Sequence, residues 1–157
     1  MTIQVGDTLP SINLMTMTGE GPKPISLSDI SAGKKIVLFA VPGAFTPTCS
    51  LQHLPGFIEK NLEFRNKGVD VVACVSMNDP FVMKAWGEDR KVGEDILMLS
   101  DGNGEFTAAI GLEMDGSGFG LGTRSQRYAM VIDDGVVSAL NIETGPGLDV
   151  SSAETIL

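Results

Sequence analysis

Cysteine is scarce: the 157-residue chain has two, Cys49 and Cys74. That is too few for the disulfide framework of a small secreted domain. Histidine, tryptophan and tyrosine occur once each. Basic residues are short too, 11 against 20 acidic, leaving a net charge of −9 and a pI near 4.4. Nucleic acid and anionic membrane surfaces both require a basic footprint, so neither suits this chain as a main partner. No apolar run approaches the roughly 20 residues that span a bilayer. The opening MTIQVGDTLP lacks the basic and then apolar pattern of a secretory leader. Internal repeats and low-complexity linkers are also missing. The expectation is a cytoplasmic protein, with an organelle left open for a chain whose transit peptide has been removed.

What is present suits a packed domain. Apolar residues make up 43% and charged residues 20%. With this length, they point to one domain over 1–157 with a full core. Residues 12–30 are rich in Gly, Pro, Ser and Thr and read as a turn-rich entry. KKIVLFAV (34–41) and VDVVACVS (69–76) are nearly continuous apolar runs, the mark of strands buried on both faces. ILMLSD (96–101) reads as a third strand. Between them, Leu51, Leu54, Ile58, Leu62 and Phe64 recur at helical spacing, and 79–90 and 104–113 read as further helices. Asp134-Gly135 inside RYAMVIDDGVVSALNIE predicts a hairpin. The order implies an α/β fold: a mixed β-sheet, partly parallel, with an antiparallel edge and flanking helices.

Cys49 follows VPGAFTPT, just past the carboxyl end of the first buried strand. Ligands of α/β sheets sit at such ends. Only the thiolate is a good nucleophile, and something must stabilise it. Three sources are legible. Thr46 suits an N-cap and Pro47 the first helical position, which puts Cys49 in the first turn among free N–H donors. The Thr46 hydroxyl is three residues from the sulfur. Arg124 and Arg127, in TRSQRYAMV, enter a strand that can lie beside the first. His53 lies four residues after Cys49, on the same helical face. It invites an acyl-transfer dyad, but no oxyanion motif accompanies it. The alternative is a ring packed at the helix–sheet junction and bonded to backbone.

PGAFTPTCS has the form Pro-x-x-x-Thr-x-x-Cys, carried here by Pro42, Thr46 and Cys49. This resembles the peroxidatic motif of peroxiredoxins. With LQHLPGF, VDVVACVSMNDPFVMKAW and RSQRYAMVIDDGVVSALNIE, the chain from about Val5 to Leu148 resembles the type II (atypical, peroxiredoxin-five-like) subfamily. The resemblance implies a thioredoxin-like fold and reduction of hydrogen peroxide, alkyl hydroperoxides and peroxynitrite, with no metal or bound cofactor. It implies Cys49 as peroxidatic cysteine, Thr46 bonded to thiolate and peroxide, Pro42 shaping the pocket, and Arg127 as the catalytic arginine. Arg124 and His53 are supporting candidates. Cys74 matches a resolving cysteine of plant-like members, yet it also reads as a core residue of an apolar strand. The C-terminal GPGLDVSSAETIL has no cysteine to resolve with. Glutathione with glutaredoxin, or thioredoxin, is the implied reductant. A homodimer face is implied at Phe45, Phe81 and the DGSGFGLG loop (115–122). A sensor relaying oxidation to a partner protein, and a Cys49–His53 hydrolase, are the competing readings.

Overall fold

The computed structural model describes residues 2–145 and 147–157. Apart from a two-stranded sheet of β6 (Glu113–Asp115) and β7 (Thr123–Ser125), its frame is a sheet with the strands β1 (Asn13–Thr18), β2 (Gly21–Ser26), β3 (Lys35–Ala40), β4 (Val71–Ser76), β5 (Leu97–Ser100), β8 (Tyr128–Asp133) and β9 (Val136–Ile142). They lie in the order β2-β1-β5-β4-β3-β8-β9. β3, β4 and β5 are parallel, while β8 runs antiparallel to β3 and β9 antiparallel to β8. The mixed sheet with an antiparallel edge is the one its apolar runs predict.

β3 shows why those runs are unbroken. Ile36, Leu38 and Ala40 pack into one core, and Val37, Phe39 and Val41 into the other. A strand alternates its side chains, so only a strand covered on both faces needs both sets apolar. One core lies under α5 (Glu105–Ile110). The other lies under α2 (Leu54–Glu59), α3 (Asn61–Asn66) and α4 (Pro80–Asp89), and holds both cysteines. α4 starts where its sequence says it should: Asp79 accepts from the Val82 N–H, and Pro80 opens the helix. At the far edge, Asp134 (φ 49°) and Gly135 (φ 81°) turn the chain from β8 into β9. Both positions need the left-handed region, which Asp and Gly tolerate.

Two expectations fail. Residues 12–30 are not merely turns: they hold the β1–β2 hairpin and α1 (Leu27–Ile30). The prolines that disguise β2, Pro22 and Pro24, have no N–H to give, and β2 is the terminal strand where none is required on one side. The helix after Cys49 is also not one regular run. It widens to a π turn at Cys49–His53, with Leu54 N–H reaching the Cys49 carbonyl, and it breaks at Lys60. Pro55 lacks the donor that a regular turn would use there. The shift in phase buries Leu54, Phe57 and Phe64 but leaves Leu51 and Leu62 exposed, against the regular spacing.

Candidate functional site

The antiparallel register builds the site. Ala40, the last residue of β3, faces Tyr128, the first of β8. Arg127 therefore arrives beside the point where the chain leaves β3 toward Cys49. Helical backbone begins at Pro47, so Cys49 does fall in the first turn. Arg127 Nη2 donates to Cys49 Sγ at 3.1 Å. Both residues are buried, the sulfur completely. A guanidinium this close, away from water, sets a permanent cation and its donors against the sulfur.

Arg127 is itself held. Its Nη1 lies 2.9 Å from His53 Nδ1, and His53 Nε2 lies 2.8 Å from the Ser151 carbonyl oxygen. A guanidinium only donates and a carbonyl only accepts. His53 is thus neutral with its proton on Nε2. Burial, with the Arg127 cation beside it, lowers its pKa to about 3. Both ring nitrogens are engaged away from the sulfur, so His53 is not the base of a hydrolytic dyad. It sits at the helix–sheet junction bonded to backbone, against Phe39 and Phe57 with centroids 5.0 and 5.5 Å away.

One further residue, silent in the sequence, supports this chain of bonds. Glu143 Oε2 accepts from Asp149 N–H, Ser151 N–H and Ser151 Oγ at 2.7–2.8 Å. Burial opposes the charge on Glu143, but those bonds and one from Val150 N–H outweigh it and hold the carboxyl below its ordinary range. Glu143 fixes Ser151, Ser151 fixes His53, and His53 fixes Arg127. The only signal in the sequence was its place at the end of the last strand.

The buried histidine predicts a pH dependence of stability. Between pH 6.5 and about 3, the unfolded chain takes a proton that the folded chain refuses. Stability is therefore full above pH 6.5 and falls as pH drops through that window, at up to about 1.4 kcal/mol per unit. Glu143 acts in the same direction at lower pH, as the pH falls through the ordinary carboxylate range and below it. Urea unfolding between pH 7 and about 5 is expected to show this slope in the parent and to lose most of it in His53→Gln. Equal slopes would place the protonation elsewhere.

The Thr46 hydroxyl does not cap the helix. It donates to the Gly43 carbonyl at 2.6 Å, while its own carbonyl accepts from Ser50 N–H. Arg124 does not reach the sulfur. It is half-buried, and it donates from Nη1 to the Pro42 carbonyl at 3.2 Å and from Nε to the Leu121 carbonyl at 2.9 Å. Arg127 Nε is buried with no partner among the described residues. A cavity of about 310 Å³ opens against Pro42 and Arg127, lined also by Met114, Gln126 and Glu143. A larger groove, about 630 Å³, lies among α4, β1 and β5 and shares no residue with this site. No group of three or more metal-ligating side chains occurs among the described residues.

Cys74 lies mid-strand in β4, in register with Phe39 and fully buried. Burial, and then the neighbouring Cys49, push its thiol well above the ordinary range. Both cysteines are free. No helix among the described residues is long and apolar enough to cross a membrane.

Known proteins resemble this chain. Residues 4–157 match the Redoxin family. Chloroplastic peroxiredoxin-2E of Arabidopsis thaliana is 52% identical over 161 residues, covering 99% of this chain and 68% of the relative. Peroxiredoxin-2B of the same plant is 47% identical, covering 99% and 96%. The crystal structure of reduced Prx3 in complex with hydrogen peroxide from Vibrio vulnificus superposes with a TM-score of 0.95 at 57% identity, covering 99% of this chain and 97% of that one.

Proposed function

This chain belongs to the peroxiredoxin family of thiol peroxidases, with a thioredoxin-like fold, and from its site we propose a type II enzyme acting through Cys49. The observation that carries the reading is the buried contact between Arg127 Nη2 and Cys49 Sγ. In the proposed step the Cys49 thiolate attacks one peroxide oxygen. The S–O bond forms as the O–O bond breaks, the departing oxygen leaves with the electron pair, and it takes a proton to give water or an alcohol. Cys49 is oxidised to a sulfenic acid. Negative charge moves from sulfur to the departing oxygen, so a donor at the sulfur favours the reactive thiolate and a donor at the departing oxygen favours the transition state. Arg127 supplies them: Nη2 for the sulfur, and the unpartnered Nε–H for the oxygen.

Thr46 has a defined polarity in this scheme. Its proton is committed to Gly43, so it has only lone pairs left to offer, which suit the O–H of an incoming peroxide. Pro42 lines the approach, and Arg124 braces it through the Pro42 carbonyl. Hydrogen peroxide and alkyl hydroperoxides are the proposed substrates. The Vibrio vulnificus relative, which binds hydrogen peroxide, supports the first.

Two thiols outside the chain complete the proposed cycle. One condenses with the sulfenic acid, releasing water and leaving a mixed disulfide; the second displaces Cys49. Cys74 is held in a paired strand with its proton retained, and reaching Cys49 would require that strand or the π turn to open. Glutathione with glutaredoxin is the first choice and thioredoxin the second. Peroxide consumption with each system separates them, and the reading predicts turnover with glutaredoxin. No turnover with either would favour a sensor that hands oxidation to a partner.

A homodimer is proposed through Phe45, Phe81 and the 115–122 loop that carries Phe119. Phe45, Phe81 and Phe119 are 51%, 61% and 86% exposed, more aromatic surface than a solitary protein usually shows. Sedimentation is expected to give a dimer that Phe81→Glu weakens; a monomeric parent would remove this part. The cytoplasm is the proposed location, with the chloroplastic relative keeping an organelle as the second reading. Fractionation decides.

A further inference from the structure

The chain bends sharply between β3 and the helix that carries Cys49. Thr46 N–H turns back to the Gly43 carbonyl at 3.4 Å, and Phe45 inside that turn has φ +66°. The left-handed region is costly for a bulky residue and persists only when its surroundings enforce it. Within the protomer Phe45 is half-exposed and meets one ring, Trp86, with centroids 6.5 Å apart.

The enforcement comes from 34 residues away. Asn78, in the β4–α4 connection, accepts the Ala44 N–H at its Oδ1, 2.8 Å long. That oxygen is fixed in turn by the Ser76 hydroxyl, which donates to it at 2.5 Å. The Asn78 backbone is fixed as well, because Ser100 Oγ donates to its carbonyl at 2.6 Å. The side chain is thus anchored at the carboxyl ends of two parallel strands, β4 and β5. From there it grips the one backbone N–H that precedes the strained residue.

We propose that Asn78 is a positioning residue for peroxide attack, acting through the Ala44 N–H to hold Phe45 in its strained turn and so aim the Thr46 hydroxyl. This rests on the peroxidase reading of Cys49. The path is short. Ala44 is held, Phe45 is kept left-handed, and Gly43 keeps its carbonyl 2.6 Å from Thr46 Oγ1. The hydroxyl proton then stays on Gly43, and its lone pairs stay free for a peroxide. Asn78 touches neither the sulfur nor Arg127, so the thiolate and its cation are left alone. Its loss would change where peroxide sits, not whether the sulfur is charged.

That difference gives the test. Reduced protein is reacted separately with hydrogen peroxide, which needs the aimed hydroxyl, and with iodoacetamide, which needs only a thiolate. Asn78→Ala is expected to slow the peroxide reaction about a hundredfold, the usual cost of a displacement near 1 Å in a reacting site. Alkylation should be unchanged. Asn78→Asp keeps both acceptor bonds and should restore most of the peroxide rate. If Asn78→Ala fails to fold, Asn78→Gln carries the test: it keeps the amide but displaces the carbonyl, and is expected to show the same selective loss. The proposal is overturned if the peroxide rate survives in the variant that folds. It is also overturned if both reactions slow together, or if Asn78→Asp is as slow as Asn78→Ala. A parent protein inert to peroxide would take down the peroxidase reading itself, whereas a fast parent with an equally fast variant removes only Asn78.

Discussion

Replacing Arg127 by alanine is expected to slow the reaction of reduced protein with hydrogen peroxide by about 10²–10³-fold, the cost of removing one fixed donor at a developing charge. Three functions end together. The sulfur loses its cation at 3.1 Å, the departing oxygen loses the Nε–H, and His53 Nδ1 is left without a donor. Lysine does not substitute. It keeps the charge, but its single ammonium cannot reach His53, the sulfur and the substrate in one fixed plane. Arg127→Lys should therefore fall between parent and Arg127→Ala. His53→Ala should cost less than Arg127→Ala, because the guanidinium remains and only its orientation is freed. Iodoacetamide alkylation should also slow in Arg127→Ala, which separates it from the selective loss expected at Asn78. Peroxide rates that rank His53→Ala below Arg127→Ala would contradict this assignment and revive a catalytic histidine.

Phe57→Ala should be the most damaging change away from the reacting groups. Phe57 is fully buried and stacked between Phe39, 4.0 Å away at 3°, and Phe64, 5.6 Å away at 6°. It ties β3, α2 and α3 into one stack, and the His53 ring leans on Phe39 and on Phe57 itself. Truncating such a ring removes about 3–5 kcal/mol. At about 2–4 °C per kcal/mol for a chain of this size, the melting temperature should drop by roughly 10 °C. Because His53 rests on this stack, the surviving folded protein should also react more slowly with peroxide. A change under about 1 kcal/mol in urea unfolding would mean that the helix is held by something else.

These two sites show which features a sequence displays and which it hides. Cys49, Thr46 and Pro42 are legible because they are neighbours in a short motif. The residues alone offer Arg124 and Arg127 equally, as cations entering a strand that can lie beside β3, and it is the family resemblance that singles out Arg127. β3, β4 and β5 announce themselves because burial on both faces leaves them no polar positions.

The hidden features all depend on partners far along the chain. β2 reads as loop because Pro22 and Pro24 are weighed without knowing that the strand is terminal. Leu51 and Leu62 look like core because a regular 3.6-residue turn is assumed where Pro55 and the π turn shift the phase. His53 offered two readings, and only its contacts with Arg127 and the Ser151 carbonyl choose between them. Glu143 and Asn78 act on backbone groups of residues 8 and 34 positions distant, and no local pattern marks such bonds.

The most direct test of the central claim is mass spectrometry with peptide mapping. Reduced protein is given one equivalent of hydrogen peroxide, without added thiol, and quenched within seconds. The account predicts one added oxygen on the peptide containing Cys49 and an unmodified Cys74. A Cys49–Cys74 disulfide would keep the peroxidase but contradict the outside-thiol cycle, because the buried strand would have opened to resolve it. An unmodified Cys49 would contradict the account at its centre.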